Sequence, residues 1–259
     1  MQDLNITIIQ ADLVWEDAAK NISRFDAKIE SITEANDLII LPEMFTTGFS
    51  MNAARLAEPP DGPSVKWMLK KSAQKKVDLV GSLIINENGS FYNRLFWAKP
   101  DGQLFTYDKR HLFRMADEHK TYSAGNKTLT VDLKGWKIRP FVCYDLRFPV
   151  WCRNRNNEYD MAIFIANWPE RRANHWRALL AARGIENQCY VAGVNRVGRD
   201  GIGIEYIGDS SIIDPLGNEL VRQRENEMIS TARLSQHTLT GYREKFPAWM
   251  DGDSFEIND

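Results

Sequence analysis

The sequence lacks long hydrophobic runs. No apolar stretch approaches the roughly 20 residues needed to span a bilayer. The N-terminal segment M-Q-D-L-N-I-T-I-I-Q has neither the basic start nor the long apolar stretch of a secretory signal. We therefore expect a cytoplasmic protein with no membrane contact.

Cysteine and histidine are also scarce. Three cysteines, an odd number without paired spacing, exclude a disulfide framework and fit a reducing compartment in which a free thiol is available for chemistry. The four histidines show no zinc-binding spacing, so we expect no metal site. The glycines form no phosphate-binding fingerprint, and we expect no cofactor.

No excess of one charge is present. The 33 basic and 35 acidic residues give a net charge of -2, and no basic cluster is left without acids nearby. This balance argues against nucleic-acid binding and favours a small-molecule partner. With 43% hydrophobic residues, the chain is able to bury a large core.

Hydrophobic periodicity divides the chain into strand–helix units and antiparallel hairpins. It predicts helices at 17–33, 63–76, 171–188 and 236–245. It predicts strands at 5–10, 38–41, 77–85, 91–98, 103–107, 128–133, 138–142, 159–166, 190–195, 210–213, 219–223 and 228–234. No linker or repeat interrupts them, so we expect a single domain, 1–259, with an irregular segment at 115–127 and an extended tail from about 246. The order predicts an α/β fold with mixed sheets covered by helices.

One thiol lies where a predicted buried strand ends. Cys143 follows the strand 138–142, in which Pro140 suggests an irregular spot. Asp145 is placed to cap a helix over 146–156, with Pro149 in its first turn.

Such an elbow offers a cysteine free backbone N–H groups and a positive helix end. Both favour the thiolate and are able to bind a developing oxyanion. Taken alone, however, a cysteine that ends an apolar strand is more often a small core residue.

Two charged residues also directly follow predicted strands. Glu43 follows the strand 38–41 and Lys109 follows the strand 103–107. Because strand ends on one edge of an α/β sheet meet at the ligand crevice, we expect both to lie near Cys143. A carboxylate, an ammonium and a thiol are sufficient for acyl transfer. Individually, the alternatives are an ion-paired or capping acid and a solvated lysine.

The sequence motifs around these residues resemble those of a known family. L-P-E-M-F at 41–45, Y-D-K-R-H-L-F at 107–113 and C-Y-D-L-R-F-P at 143–149 resemble the Glu-Lys-Cys motifs of the nitrilase superfamily of carbon–nitrogen hydrolases. The resemblance covers nearly the whole chain. Within the superfamily, M-A-D-E-H at 115–119 and Y-R-E-K-F-P-A-W at 242–249 are most similar to bacterial omega-amidases.

The resemblance implies a four-layer α-β-β-α sandwich that forms a homodimer. It implies Glu43 as general base, Lys109 as electrophilic stabiliser and Cys143 as nucleophile. Glu118 matches the second glutamate that the family places near the cysteine, and its alternative is a solvated loop acid. The backbone N–H of Tyr144 would complete the oxyanion site.

Substrate contacts are predicted by position only. Phe113, Arg147 and Trp168 are candidate pocket walls, although Arg147 is equally placed to pin the elbow through an ion pair and Trp168 to lie in the core. Arg172 and Arg177, with Arg147, are the cations available for a substrate carboxylate. The remaining cysteines, Cys152 and Cys189, are predicted to be packing residues.

The sequence therefore predicts a cofactor-free thiol amidohydrolase. Its expected substrates are small ω-amidodicarboxylates such as α-ketoglutaramate, which it would cleave to the acid and ammonia through a thioester on Cys143. One alternative is a related hydrolase of nitriles or N-carbamoyl amino acids. Another is a non-catalytic binding protein with the same fold, against which the retention of Glu43, Lys109, Glu118 and Cys143 argues.

Overall fold

Thirteen strands and seven α-helices make up the computed structural model, which describes residues 2–257. The helices are α1 (Ala18–Glu30), α2 (Ala53–Leu56), α3 (Pro63–Lys75), α4 (Glu118–Thr121), α5 (Pro149–Cys152), α6 (Ala173–Asn187) and α7 (Gln236–Lys245). The strands are β1 (Leu4–Gln10), β2 (Leu38–Ile40), β3 (Asp78–Glu87), β4 (Ser90–Ala98), β5 (Leu104–Asp108), β6 (Val131–Leu133), β7 (Trp136–Val142), β8 (Met161–Ala166), β9 (Tyr190–Asn195), β10 (Val197–Arg199), β11 (Glu205–Ile213), β12 (Glu219–Arg224) and β13 (Met228–Leu234).

The strands form two mixed sheets. The first sheet has the order β13-β1-β2-β3-β4-β5, in which β1, β2 and β3 run parallel and the other pairs are antiparallel. The second sheet has the order β10-β11-β9-β8-β7-β6, with β12 paired to β11 and with β7, β8 and β9 parallel. Parallel central strands and antiparallel edges explain why both continuous apolar runs and hairpin turns appear in one sequence.

The two sheets face each other, and helices cover their outer faces. Side chains of both sheets share one apolar core, to which β1 contributes Ile6 and Ile8 and β8 contributes Ile163 and Ile165. Helices α1 and α3 pack on the first sheet around Phe25, whereas α6 packs on the second sheet against β9 and β11. The predicted four-layer α-β-β-α sandwich is confirmed.

Strand direction determines where the site forms. Two successive antiparallel pairings, β3 with β4 and β4 with β5, make β5 run in the same direction as β2 and β3. The carboxyl ends of β2 and β5 therefore lie at one edge of the first sheet. In the second sheet, β7 and β8 are parallel and also end together. Each of these four strands delivers a polar side chain to the site.

The four long helices and the twelve strands were predicted correctly, with ends that differ by a few residues. The predicted helix over 146–156 is wrong. A 3₁₀ segment, Cys143–Arg147, is followed by the short α5, and Pro149 occupies the first position of α5. A proline at this position begins a new helix because it has no N–H to continue the previous one.

Three smaller predictions need correction. The segment 115–127 is not irregular throughout, because it contains α4. The segment from residue 246 is not extended throughout, because it includes a 3₁₀ turn, Ala248–Asp251. The strand β7 stays in register with β8 through Pro140. A proline is tolerated there because the pairing with β6 reaches only as far as Ile138. Strand β10 and helix α2 were not predicted.

Among residues 2–257, no helix has the length and apolar character needed to cross a membrane.

Candidate active site

Cys143 occupies a strained elbow directly after β7. Its φ of 48° lies in the left-handed region, which a non-glycine residue adopts at a cost of about 1–3 kcal/mol. This conformation turns the chain sharply from the strand into the 3₁₀ segment. The half-buried thiol lines a cavity of about 480 Å³. Strain of this kind is typical of functional positions.

The environment of Cys143 favours the neutral thiol. Burial raises the pKa of Cys143 well above its ordinary value, and the negative charge of Glu43 raises it further. Lys109 opposes this effect without reversing it. The expectation that the elbow would favour the thiolate is therefore wrong, because burial and the charge of Glu43 outweigh the effect of Lys109. A base must take the proton during reaction.

Lys109 lies between two carboxylates. Its Nζ donates to Glu43 Oε1 at 2.9 Å and to Glu118 Oε1 and Oε2 at 2.9 and 3.0 Å. All three side chains are fully buried. Lys109 also lies 5.0 Å from the centre of the Phe49 ring. The structure thus brings together the acids and the lysine that were predicted from separate parts of the sequence.

Two asparagines hold Glu43 in place. Asn93 Nδ2 donates to Glu43 Oε1 at 2.7 Å. The backbone N–H of Asn167 donates to Glu43 Oε2 at 2.8 Å, and Asn167 Nδ2 donates to the Glu43 carbonyl at 2.6 Å. With these donors, Glu43 has a fixed orientation while its side chain interacts with the thiol of Cys143.

Sequence reasoning missed both asparagines. Asn167 directly follows β8, which is the same strand-end position that singled out Glu43, Lys109 and Cys143. Applying that criterion to every strand would have found it. Asn93 lies within β4, where nothing in the sequence separates it from other strand residues.

Glu118 begins α4 and faces Lys109. Asp117, just before it, has a φ of 55°, and the backbone N–H of Phe113 donates to Glu118 Oε2 at 2.5 Å. Burial raises the pKa of Glu118, an effect that the positive charge of Lys109 opposes. The pKa of Lys109 is itself raised well above its ordinary value, because the charges of Glu118 and Glu43 outweigh the opposing effect of burial. These charges favour the ammonium form of Lys109, and Glu118 is fully buried rather than a solvated loop acid.

The three candidate pocket walls, Phe113, Arg147 and Trp168, all line the cavity, and so does Tyr144. Phe113 and Tyr144 contact each other edge to face, with ring centroids 5.0 Å apart. Trp168 is buried at the end of β8, and the guanidinium of Arg147 lies 4.8 Å above its ring. Arg147 forms no ion pair with a described residue, so the alternative role of pinning the elbow through an acid is not observed.

Two further arginines line the cavity beside Arg147. Arg171 and Arg172 belong to the turn before α6, and the guanidinium of Arg172 lies 5.0 Å from the Phe113 ring. Arg177 does not line the cavity. Its guanidinium binds the buried carboxylate of Asp209 at 2.7 Å. The structure thus separates the arginines that sequence reasoning left unresolved.

The other cysteines lie away from this cavity. Cys152 and Cys189 are fully buried in the core between elements of the second sheet. Burial raises the pKa of both thiols. Within the described part of the chain, no group of three or more His, Cys, Asp or Glu side chains is arranged to hold a metal ion.

The structure brings a thiol, an ammonium and two carboxylates together at one edge of two facing sheets. This arrangement is typical of thiol-dependent hydrolases that act on carbon–nitrogen bonds. The chain belongs to the carbon–nitrogen hydrolase family, whose model matches residues 5–244. This confirms the resemblance to the nitrilase superfamily.

Similar proteins cover the whole chain. The chain is 49% identical over 258 residues to omega-amidase YafV of Escherichia coli K12, and the match covers 99% of this chain and 100% of that protein. It is 38% identical over 251 residues to 2-oxoglutaramate amidase of Bacillus subtilis, spanning 95% and 96% of the two chains. The predicted similarity to bacterial omega-amidases, specifically those of the YafV type, is confirmed.

A solved structure agrees with the fold at high identity. The crystal structure of XC1258 from Xanthomonas campestris, described as a CN-hydrolase superfamily protein with an arsenic adduct in the active site, matches with a TM-score of 0.98. The two chains are 47% identical and each is covered completely.

Proposed function

We propose that this protein is an omega-amidase, which hydrolyses the terminal amide of small ω-amidodicarboxylates such as α-ketoglutaramate to the acid and ammonia. The observation that carries the proposal is the contact of Lys109 with both Glu43 and Glu118 beside the thiol of Cys143. The similarity to omega-amidase YafV and to 2-oxoglutaramate amidase supports the same class of substrate.

Acylation begins with a neutral thiol. Cys143 Sγ attacks the amide carbon while its proton passes to Glu43, which its asparagine partners hold as an oriented base. The carbonyl oxygen gains the negative charge. The ammonium of Lys109 and the backbone N–H of Tyr144, in the first turn after the elbow, are placed to stabilise this oxyanion.

The tetrahedral intermediate then loses its nitrogen. Glu43 returns the proton to the amide nitrogen, the C–N bond breaks and ammonia leaves a thioester on Cys143. A water molecule attacks the thioester, giving one proton to Glu43. The C–S bond breaks, the acid is released and the proton returns to sulfur. Glu118 orients Lys109 in both halves of the reaction and helps position the water.

Phe113, Tyr144, Arg147 and Trp168 are proposed to contact the substrate, because they line the cavity next to Cys143. An aromatic wall packs against a short acyl chain, and guanidinium groups bind a distal carboxylate. A simple nitrile has no carboxylate for these arginines to bind. Its nitrogen also cannot leave as ammonia after a single proton transfer, whereas the nitrogen of an amide can. Keto-acid amides are therefore expected to be better substrates than nitriles.

A substrate panel tests this proposal. Ammonia release from α-ketoglutaramate, α-ketosuccinamate, simple nitriles and N-carbamoyl amino acids should be compared at equal enzyme concentration. We expect the two keto-acid amides to have the highest kcat/KM. A preference for nitriles or N-carbamoyl amino acids would support the related-hydrolase alternative and reject the omega-amidase proposal. Absence of any thioester adduct by mass spectrometry would favour a non-catalytic protein.

We further propose a cytoplasmic homodimer in which 1–259 form one carbon–nitrogen hydrolase domain that needs no cofactor. The ends of this domain, residue 1 and residues 258–259, lie outside the described residues. Exposed apolar side chains support self-association. Ile185, near the carboxyl end of α6, is 51% exposed, and Leu216, in the turn between β11 and β12, is 56% exposed. The two lie close together, because Gly217 of that turn lies against Ile185.

A further inference from the structure

One hydrogen-bond acceptor near the thiol is buried without a partner. Asn167 and Cys143 follow the neighbouring parallel strands β8 and β7, in which Ile165 pairs with Val142, and both line the cavity. Asn167 is only 4% exposed, and its buried Oδ1 accepts no hydrogen bond from any residue that the structure describes. Because an unpaired buried acceptor costs free energy, a donor on a molecule that enters the cavity would be favoured there.

The contacts of Asn167 with Glu43 fix the orientation of its amide. Asn167 Nδ2 donates to the Glu43 carbonyl at 2.6 Å and lies 3.5 Å from Glu43 Oε2. The reverse orientation would place Oδ1 against the carbonyl oxygen, and neither of these atoms is able to donate. The NH₂ group therefore faces Glu43, and the open acceptor is a fixed feature of the site.

The two oxygens of Glu43 face different partners. Oε1 binds Lys109 Nζ and Asn93 Nδ2, whereas Oε2 binds the backbone N–H of Asn167. In the proposed mechanism, Lys109 stabilises the oxyanion, which places the oxyanion on the Oε1 side. The amide nitrogen occupies another corner of the tetrahedral carbon and takes its proton from Glu43. The Oε2 side, next to Asn167, is the side left for this nitrogen.

We propose that Asn167 Oδ1 accepts a hydrogen bond from the amide nitrogen of the substrate and thereby selects compounds whose leaving group has an N–H. The inference rests on the proposed omega-amidase function and deepens it. In the tetrahedral intermediate, one N–H points to Oδ1 while Glu43 gives its proton to the same nitrogen. The C–N bond then breaks and ammonia leaves the thioester on Cys143. Asn167 itself transfers no proton.

An ester with the same acyl group lacks this contact. Its cleavage forms the same thioester on Cys143 and releases an alcohol, whose oxygen has no hydrogen until Glu43 protonates it. In the ester, that oxygen brings a second acceptor towards Asn167 Oδ1, which stays unpaired. A site built to bind an N–H of its substrate discriminates against the analogue without it, because the buried polar group is then left without a partner.

Glutaramate and monomethyl glutarate isolate the leaving group, because their acyl chains are identical. We would measure kcat/KM for both, with α-ketoglutaramate as the reference, in the wild type, Asn167→Ala and Asn93→Ala. Asn93 is the matched control. Its Nδ2 also donates to Glu43 and its Oδ1 also lacks a partner, but it does not line the cavity. The amide-to-ester ratio is expected to fall at least about fivefold further in Asn167→Ala than in Asn93→Ala.

Binding to the Cys143→Ala variant gives a second measurement, which needs neither turnover nor a folded Asn167 variant. Calorimetry of this variant with glutaramate and with monomethyl glutarate gives the two Kd values. Glutaramate is expected to bind at least about fivefold more tightly, because only the amide donates to Asn167 Oδ1. Equal binding, or tighter binding of the ester, would overturn the proposed contact.

The kinetic outcomes separate the contact from the function. A ratio that falls no further in Asn167→Ala than in Asn93→Ala, with both variants folded by circular dichroism, would overturn the contact. Asn167 would then only hold Glu43, and the omega-amidase function would stand. If the wild type hydrolyses neither α-ketoglutaramate nor glutaramate, the proposed function fails, and this inference fails with it.

Discussion

Asp145 binds His111 twice. Its Oδ1 accepts from the backbone N–H of His111 at 2.9 Å and lies 2.8 Å from His111 Nδ1. Its Oδ2 accepts from the hydroxyl of Tyr107 at 2.7 Å and from the backbone N–H of Val142 at 3.0 Å. One fully buried carboxylate therefore ties the segment that carries Lys109 to the elbow that carries Cys143.

Replacing this carboxylate should loosen the active site. In Asp145→Asn, one oxygen becomes an NH₂ group that faces N–H donors, and a buried donor without a partner costs about 2 kcal/mol of unfolding free energy. We expect kcat to fall by about tenfold or more, since small misplacements of reacting groups are costly. Urea unfolding and steady-state kinetics measure both effects. Asp132→Asn, on the exposed side of β6, should change neither.

Cys143→Ala should abolish ammonia release and leave the fold intact, because it removes only the sulfur at the site. Cys152→Ala should stay active, since Cys152 lies in the core and does not line the cavity. Circular dichroism controls for folding in both variants. An inactive Cys152 variant beside an active Cys143 variant would show that the nucleophile is misassigned.

Glu43→Gln should lower kcat by at least about 100-fold, the usual scale for a general base. Alkylation should change in the opposite direction. Because the charge of Glu43 raises the pKa of Cys143, its removal should increase the rate of alkylation by iodoacetamide at neutral pH while turnover falls. A kcat close to the wild-type value in this variant would remove Glu43 from the role of base.

The pH dependence of alkylation tests the electrostatics. The pKa of Cys143 lies well above the ordinary 9.0, so the rate should rise only in alkaline solution. The charge of Glu118 contributes to that elevated pKa. Removing an anion favours the thiolate, and Glu118→Gln should therefore shift the midpoint to lower pH. In the wild type, the charges of Glu118 and Glu43 raise the pKa of Lys109 against the effect of burial and favour its charged form. A midpoint that does not move, or moves upward, would contradict this account.

The proposed dimer predicts a light-scattering mass of twice the 29.8 kDa chain. Ile185→Glu should reduce this mass to that of a single chain, because it places a charge in the exposed apolar surface at the end of α6. Glu186→Gln, the adjacent substitution on the same helix, is the control. A monomeric wild type would refute the prediction, and activity lost to EDTA and restored by zinc would refute the metal-free reaction.

Much of this fold and site was readable from the sequence because periodicity and strand ends are local signals. The runs before Glu43, Lys109 and Cys143 identify strands, and parallel strands bring their ends together. The position of Glu118 came from family resemblance, since an acid in a loop has no such signal. The long helix after Cys143 was mispredicted because Asp145 is able to cap a helix, and two of its actual partners, Tyr107 and His111, lie far away in sequence.

The undecided choice among the arginines and the wrong expectation for the pKa of Cys143 have the same origin. Which arginine faces the cavity depends on Asp209 of β11, which binds Arg177 of α6. The pKa of Cys143 depends on how deeply the two sheets bury it. Neither quantity is a property of a segment, so neither is accessible to local pattern reasoning.

The proposed catalytic groups come from both sheets of the sandwich. Glu43 and Lys109 end strands of the first sheet, whereas Cys143 and Asn167 end strands of the second. Neither half contains a base together with a nucleophile. Turnover therefore requires that the two sheets have packed against each other. In a newly synthesised or partly unfolded chain, the thiol of Cys143 is exposed and has no base beside it to activate it. Hydrolysis starts only once the two halves have met.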